Sequence, residues 1–316
     1  MELLFNKPEA EKSEIKDLLP FTDADLKFTR LKPDIITATN DLIKLIGEPM
    51  YLKIVDKYKE ANGSASELVY HARYPIAIKA YMLYAPNNDI AHTTNGRKMR
   101  SDENEKLPFQ WMIDSDNQAL EKRYYRALDD LLAHLEPLQE WREKEAYKGL
   151  KSLFLNTTDQ FDTHFMIQSR LILLKLQPGI KQCERDHIKP RIGQAKFDAL
   201  KSALRTGTGI TDENDLELLE LIREACVFHA MAWAMTRLSV TIFPEGILQA
   251  YTSDRDTTQI RRPAENQEPQ AARLAFIEDA ANALLRIEKH VAPPAAPTTL
   301  KSIFPDIVSG NNFLSF

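Results

Sequence analysis

The sequence predicts a mainly α-helical protein built from two tandem units, and three observations support this expectation. The chain has only 10 glycines in 316 residues, and its long stretches of Leu, Ala, Lys, Glu and Arg favour helices. A short motif around Ile46-Gly47 returns around Ile192-Gly193. The flanking elements follow both copies in the same order. We therefore expect each unit to contain several helices and a β-hairpin that follows a long apolar helix.

The repeated motif consists of Ile-Lys, then Ile-Gly, an aromatic residue four positions later and an aliphatic residue three positions beyond that. Gly47 is followed by Tyr51 and Ile54 in this way, and Gly193 is followed by Phe197 and Leu200. Other landmarks recur at offsets between about 140 and about 153 residues. Their shared order predicts an internal duplication. The alternative is two unrelated helical domains that both place a hairpin after a helix.

The first unit is predicted to span residues 1–137. Helical periodicity begins at Asp34 and is broken at Gly47, and a second helix is expected from about Met50 to Lys59. A long apolar helix follows from Ser66. Residues 89–100 then indicate a β-hairpin, because an Asn-Gly pair tolerates the positive φ angles of a two-residue turn. A helix over about 115–135 completes the unit.

The second unit is predicted to span residues 151–291 and to repeat these steps. Leu153-Phe154-Leu155-Asn156 resembles Leu3-Leu4-Phe5-Asn6, and Phe161 resembles Phe21. A long helix over about 216–238 precedes a hairpin near 239–251, and a last helix runs to His290. Residues 138–150 are predicted to bridge the units as a helix. Residues 292–316 are predicted to form a Pro-rich linker with an apolar C-terminal arm.

Composition excludes several classes of protein. The formal net charge is −5, so broad binding of nucleic acid, which needs a concentrated basic surface, is not expected. Two cysteines are too few for a disulfide framework. No secretory signal is apparent, and no apolar run approaches the roughly 20 residues that span a bilayer. We expect synthesis in a reducing cytoplasm and no contact with a membrane.

A metal site is the most specific chemistry that the residues suggest. Cys183 with His187, and Cys226 with His229, have spacings that place a thiolate and an imidazole on one helical face, as in a Cys2His2 zinc site. However, Cys226 lies in an apolar helix, where free cysteine behaves as a small hydrophobic residue. We therefore expect packed cysteines and no metal. Phosphate-loop and nucleophile-elbow motifs are absent from the sequence, so no cofactor and no catalytic residue is predicted.

Two kinds of residue are predicted to bind partners. Small basic clusters lie in or after the two hairpins, and the C-terminal arm carries large apolar side chains. These candidate residues are Arg97, Lys98, Arg100, Arg261, Arg262, Ile303, Phe304, Phe313 and Phe316. Basic clusters are more often simply solvated, whereas apolar side chains at the end of a linker favour docking on another surface.

The helix that ends in Ile46-Gly47, the aromatic residue after it and their second copy resemble an uncharacterised group of phage- and prophage-encoded proteins from gut bacteria. The pattern is also distantly similar to head–tail adaptor proteins of tailed phages, which assemble into rings at the virion neck. That resemblance implies a structural protein without catalytic residues. It implies a homo-oligomeric ring in the virion neck, made in the host cytoplasm, with portal and tail or other neck proteins as partners. Packaged DNA would pass nearby without specific binding.

The sequence leaves a second hypothesis open. The chain could be a cytoplasmic ligand-binding protein or metalloenzyme with a site between the two units. A third possibility, a regulatory nucleic-acid binder, predicts salt-sensitive DNA binding that depends on Arg97 or Arg261.

Overall fold

The computed structural model describes residues 2–5, 14–22, 26, 28–60, 63–94, 96–99, 108–238, 241–243, 246–248 and 267–292. Within these residues the chain is mainly helical, as predicted. The first half contains α1 (Glu14–Leu18), α2 (Phe28–Ile46), α3 (Glu48–Lys59), a 3-10 turn (Gly63–Ala65), α4 (Glu67–Asn88), β1 (Ile90–Thr93), β2 (Gly96–Met99), α5 (Gln110–Leu135), α6 (Gln139–Arg142) and α7 (Glu145–Leu150).

The second half follows the same order. It contains α8 (Thr158–Asp162), α9 (Arg170–Cys183), a π-helical turn (Glu184–Ile188), α10 (Lys189–Ile192), α11 (Gln194–Thr206), α12 (Glu213–Arg237), β3 (Thr241–Phe243), β4 (Gly246–Leu248) and α13 (Gln267–Val291). Strand β1 pairs antiparallel with β2, and β3 pairs antiparallel with β4. Each strand pair lies between two helices of 22 or more residues.

Two separate hydrophobic cores divide the chain. The first runs from Leu4 to Tyr147 and the second from Phe154 to Ile287. Trp141 and Tyr147 are buried in the first core, with their rings 6.0 Å apart. Residues 138–150 form two short helices that pack in the first core, and α7 also contacts α11 of the second unit. Burial of Trp141 stabilises these helices against the first core.

The buried positions of α2 and α9–α10 correspond residue by residue. Before the π-helical turn the offset is 145 residues, and after it the offset is 146. The buried pairs before the turn are Leu31 and Leu176, Ile35 and Ile180, and Ala38 and Cys183. Those after it are Leu42 and Ile188, and Ile46 and Ile192. A π-helical turn holds one extra residue, so it absorbs an insertion while both halves of the helix keep their buried faces.

The remaining helices also correspond through burial. Helices α4 and α12 match at an offset of 150, which pairs buried Val69 with Leu219 and Ala80 with Ala230. Helices α5 and α13 match at 152, which pairs buried Leu135 with Ile287. The proposed likeness of Phe21 and Phe161 fails, because Phe21 is 50% exposed and Phe161 is fully buried. The internal duplication is nevertheless confirmed, and these three pairs of long elements correspond through their buried faces.

The two units are joined by a polar contact around Asp129 of α5. Its carboxylate accepts a hydrogen bond from the Thr158 hydroxyl at 2.8 Å and one from Arg170 Nη1 at 2.7 Å. Arg170 is almost fully buried, at the start of α9. A buried guanidinium needs a carboxylate or an equivalent acceptor, so this contact fixes α9 against α5.

Candidate functional site

The structure places only part of the predicted partner-binding set. Arg97 and Lys98 lie in β2, opposite His92 and Ala91 of β1, and Lys98 is exposed. The other predicted residues, Arg100, Arg261, Arg262, Ile303, Phe304, Phe313 and Phe316, lie outside the described residues. Their roles remain predictions.

An exposed apolar cluster that the sequence analysis did not select lies at the start of α5. Phe109, Trp111 and Met112 are 68%, 52% and 41% exposed, within four consecutive positions. Trp and Phe are the side chains that most often anchor protein–protein interfaces. The signal in the sequence was the pair of aromatic residues at the start of this helix. Exposed Phe and Trp side chains close together are typical of an interaction surface.

The four residues of the proposed zinc site meet as two separate pairs. Cys183 and Cys226 are both free, buried and in contact, and the hydrogen bond with the Cys183 thiol, together with burial, raises the pKa of Cys226. His187 and His229 have ring centroids 4.9 Å apart. Among the described residues, no three potential ligands gather in one place. The thiols belong to the core, and the imidazoles face a cavity beside it.

That cavity, of about 350 Å³, lies between the π-helical turn, α12 and α13. Its lining combines apolar side chains with two arginines and two histidines. The lining residues are Gln182, His187, His229, Ala232, Trp233, Arg237, Arg273, Ile277, Ala280, Ala281 and Leu284. No acidic side chain lines it in the part of the chain that the structure describes. The second unit therefore carries a concave site with an excess of positive charge.

Local packing fixes the two histidines at the edge of this cavity. His229 Nδ1 lies 3.3 Å from the carbonyl oxygen of Gly179. A Cβ at Gly179 would come within 3.1 Å of Ala230 and Trp233, so the glycine allows α9 to approach α12 closely. Burial, and secondly the neighbouring His187, lowers the pKa of His229. The imidazole of His229 is therefore mostly neutral near pH 7.

Glu184, the first residue of the π-helical turn, forms a buried ion pair with Lys201 of α11. Lys201 Nζ donates to Glu184 Oε2 at 2.7 Å and to the Ser152 carbonyl at 2.7 Å. Glu184 Oε1 accepts the Phe154 amide at 2.5 Å. Desolvation raises the pKa of Glu184 and lowers that of Lys201, despite their mutual attraction. The pair fixes the start of the second unit, with the Phe154 ring 3.8 Å from the ammonium.

A shallow groove of about 260 Å³ lies between the two units. Tyr125 and Glu121 of α5 line one side, and Gln168 and Ser169 line the other. Gln168 has a φ of 46°, an uncommon value for a residue other than glycine. The second hypothesis from the sequence places a ligand between the units. The larger cavity instead lies within the second unit.

The fold and the site together define a duplicated helical protein whose second unit carries a cationic cavity. The model of a family of unknown function, DUF6712, matches the chain twice, at residues 42–149 and at 188–292. The two matches cover more than half of the chain, so the protein belongs to this family, and its membership of an uncharacterised family is confirmed. Searches of curated proteins and of solved structures returned no match.

None of the helices in the described part of the chain has both the length and the apolar character that a bilayer crossing requires.

Proposed function

We propose that this protein is a structural component that assembles with copies of itself and with other proteins. The observation that carries this proposal is the exposed cluster of Phe109, Trp111 and Met112 at the start of α5. Exposure of such side chains to water is unfavourable. Burial of each aromatic ring against a partner would contribute about 2 kcal/mol to the free energy of association. A tandem module with this surface suits repeated contacts between subunits.

The resemblance to neck proteins suggests the particular assembly. We propose a ring between the portal and the tail of a phage, in which the two strand pairs and the start of α5 contact neighbouring subunits. Exposed strand edges can pair with other chains, and Lys98 on β2 is exposed for contact with an acidic surface. The net charge of −5 suits a ring through which DNA passes without sticking.

The test is the oligomeric state of the full-length chain, measured by mass photometry and negative-stain electron microscopy. We expect closed rings, alone or after mixing with a portal complex encoded in the same genome. The double substitution Phe109→Ser with Trp111→Ser should disperse them. The matched control is Leu52→Ser with Met166→Ser, which removes two other exposed apolar side chains and should leave the rings intact. Monomers that bind neither each other nor the portal would refute the proposal.

A further inference from the structure

Within the helices that correspond, the two units differ in length at one turn. The second unit has one residue more than the first within Glu184–Ile188, where the amide of Lys189 bonds the carbonyl of Glu184 in a π-helical turn. Such turns weaken the regular hydrogen-bond ladder of a helix and are frequent at functional sites. His187 lies in this turn, 4.9 Å from His229 between ring centroids.

The first unit offers an internal comparison for the cavity. At the offsets that align the buried faces, His229 corresponds to Lys79 and Arg273 corresponds to Glu121. The first unit thus has a carboxylate where the second has a guanidinium. Arg237 corresponds to Asn87 in the same way, so the two arginines of the lining occur in the second unit alone, as does the extra helical residue.

The charges around the cavity leave its cations available. Arg237 stacks on the Trp233 ring at 5.3 Å, and its one other described contact is to the Thr236 hydroxyl. Among the described residues, neither Arg237 nor Arg273 pairs with a carboxylate. Asp186 interacts electrostatically with both histidines, and its carboxylate accepts hydrogen bonds from Arg185 at 2.5 and 2.9 Å. An incoming anion would therefore meet unneutralised positive charge.

The geometry points to a binding site for a small ligand that carries an oxyanion, a carboxylate or a phosphate, on an apolar group. Arg237 and Arg273 supply hydrogen-bond donors in the fork geometry that suits oxyanions. Gln182 and the two imidazoles add further donors. Trp233, Ile277 and Leu284 form the apolar wall that would receive the rest of the ligand. Bound negative charge favours the protonated form of His229, so binding is coupled to proton uptake.

The site faces a defined set of titratable groups. His229 is influenced by His187 and Asp186 from the π-helical turn and by Arg237 from its own helix. Arg273 reaches the same cavity from α13. Burial disfavours the protonated form of His229, and the charges of His187 and Arg237 disfavour it further, so an entering anion should favour protonation. Affinity should accordingly increase as the pH falls from 7.5 to 6.0.

The experiment uses the full-length protein and four probes: phenyl phosphate, phenylacetate, inorganic phosphate and neutral 2-phenylethanol. Side-chain histidine NMR and isothermal titration calorimetry follow binding at pH 6.0 and pH 7.5. We expect saturable shifts of the His187 and His229 signals with phenyl phosphate, phenylacetate or both, and proton uptake on binding. Whichever of these two probes binds more tightly identifies the oxyanion, phosphate or carboxylate, that the site prefers. The other close histidine pair, His71 and His134, whose ring centroids are also 4.9 Å apart, serves as the internal reference and should not respond.

Two arginine variants test whether the positive charge at the cavity contributes to ligand affinity. Arg273→Gln should weaken binding about tenfold, the typical effect of losing one charged hydrogen bond. Arg286→Gln on the same helix, whose guanidinium bonds Glu224 at 2.5 Å outside the cavity, should leave affinity unchanged. The inference is overturned if the His187 and His229 signals show no saturable shift at pH 6.0, or if 2-phenylethanol binds as tightly as the anionic probes. It is also overturned if the His71 and His134 signals shift as much as those of His187 and His229, or if the two arginine variants change the affinity equally. The wild-type titrations decide the matter even if Arg273→Gln fails to fold. None of these results depends on ring assembly.

Discussion

Gly47 and Gly193 hold the same backbone conformation, 146 positions apart. Their φ and ψ angles are 80° and 147° at Gly47, and 79° and 154° at Gly193. Each glycine ends one helix and begins the next, so the chain turns at the same place in both units. Residues with a side chain are rarely found in this region of φ and ψ. The glycine is thus the part of the repeated motif that backbone geometry requires.

Alanine at either glycine should destabilise the protein. We expect Gly193→Ala to cost about 1–3 kcal/mol of unfolding free energy from backbone strain alone, because its Cβ would meet nothing within 4 Å. Gly47→Ala should cost more, since its Cβ would lie 3.3 Å from that of Ala146. Urea unfolding measures both. The control, Gly149→Ala in α7, also meets nothing within 4 Å and should be neutral or slightly stabilising. Equal effects at all three positions would contradict this account.

The buried pair of Glu184 and Lys201 should show strong coupling. Lys201→Val alone leaves a buried carboxyl without its partner and should cost about 3–5 kcal/mol at pH 7. The first unit has Thr39 and Val55 at the corresponding positions. Adding Glu184→Thr to Lys201→Val should therefore restore part of the loss, and a double-mutant cycle by urea unfolding measures the coupling. Additive single effects would show that the pair does not act as a unit.

The same pair predicts a pH dependence. The pKa of Glu184 is raised by burial, so its contribution to stability is fully present below the unfolded pKa of about 4.5 and is lost as the pH rises through the folded pKa. Without Lys201 that pKa should rise further. The Lys201→Val variant should accordingly lose less stability, relative to the wild type, at pH 5 than at pH 7. A constant difference between the two proteins over this range would contradict the prediction.

Asp129 should couple the two units. Asp129→Ala removes the acceptor of a buried arginine and should cost about 3 kcal/mol. Neighbouring Asp130 is exposed, so Asp130→Ala should change stability by less than about 0.5 kcal/mol. Thermal unfolding by calorimetry is the measurement. We expect the wild type to unfold in one transition and Asp129→Ala to approach two. A single unshifted transition in the variant would show that apolar contacts alone join the units.

His229 should make the protein less stable in mild acid. Its pKa is lowered in the folded state, so the unfolded chain binds more protons, and stability falls as the pH drops below the unfolded value of about 6.5. His229→Gln should flatten the stability profile between pH 7 and pH 5. His187→Gln should flatten it partly, because the charge on His187 is the second cause of the shift. Parallel profiles for the wild type and both variants would contradict this assignment.

The long helices and their duplication could be predicted from the sequence because helical periodicity and glycine breaks are local signals. The repeated motif around Gly47 and Gly193 indicated the duplication, which the two family matches confirm. The extra residue at Glu184–Ile188 was inherently harder to find, since only burial fixes where the offset changes from 145 to 146. The cavity was missed for a related reason. Arg237 and Arg273 are far apart in the chain, and only the packing of α12 against α13 brings them to the two histidines. The burial of Trp141 was not predicted either, because it depends on residues that are distant in the sequence.

The π-helical turn also suggests how the halves came to differ. An added residue would rotate everything after it by about 100° in a regular helix, which would turn Ile188 and Ile192 towards water. By widening one turn, the helix kept both of these side chains in place. The two halves can therefore differ in length by one residue with little loss of stability, and the longer helix places an additional side chain beside a cavity.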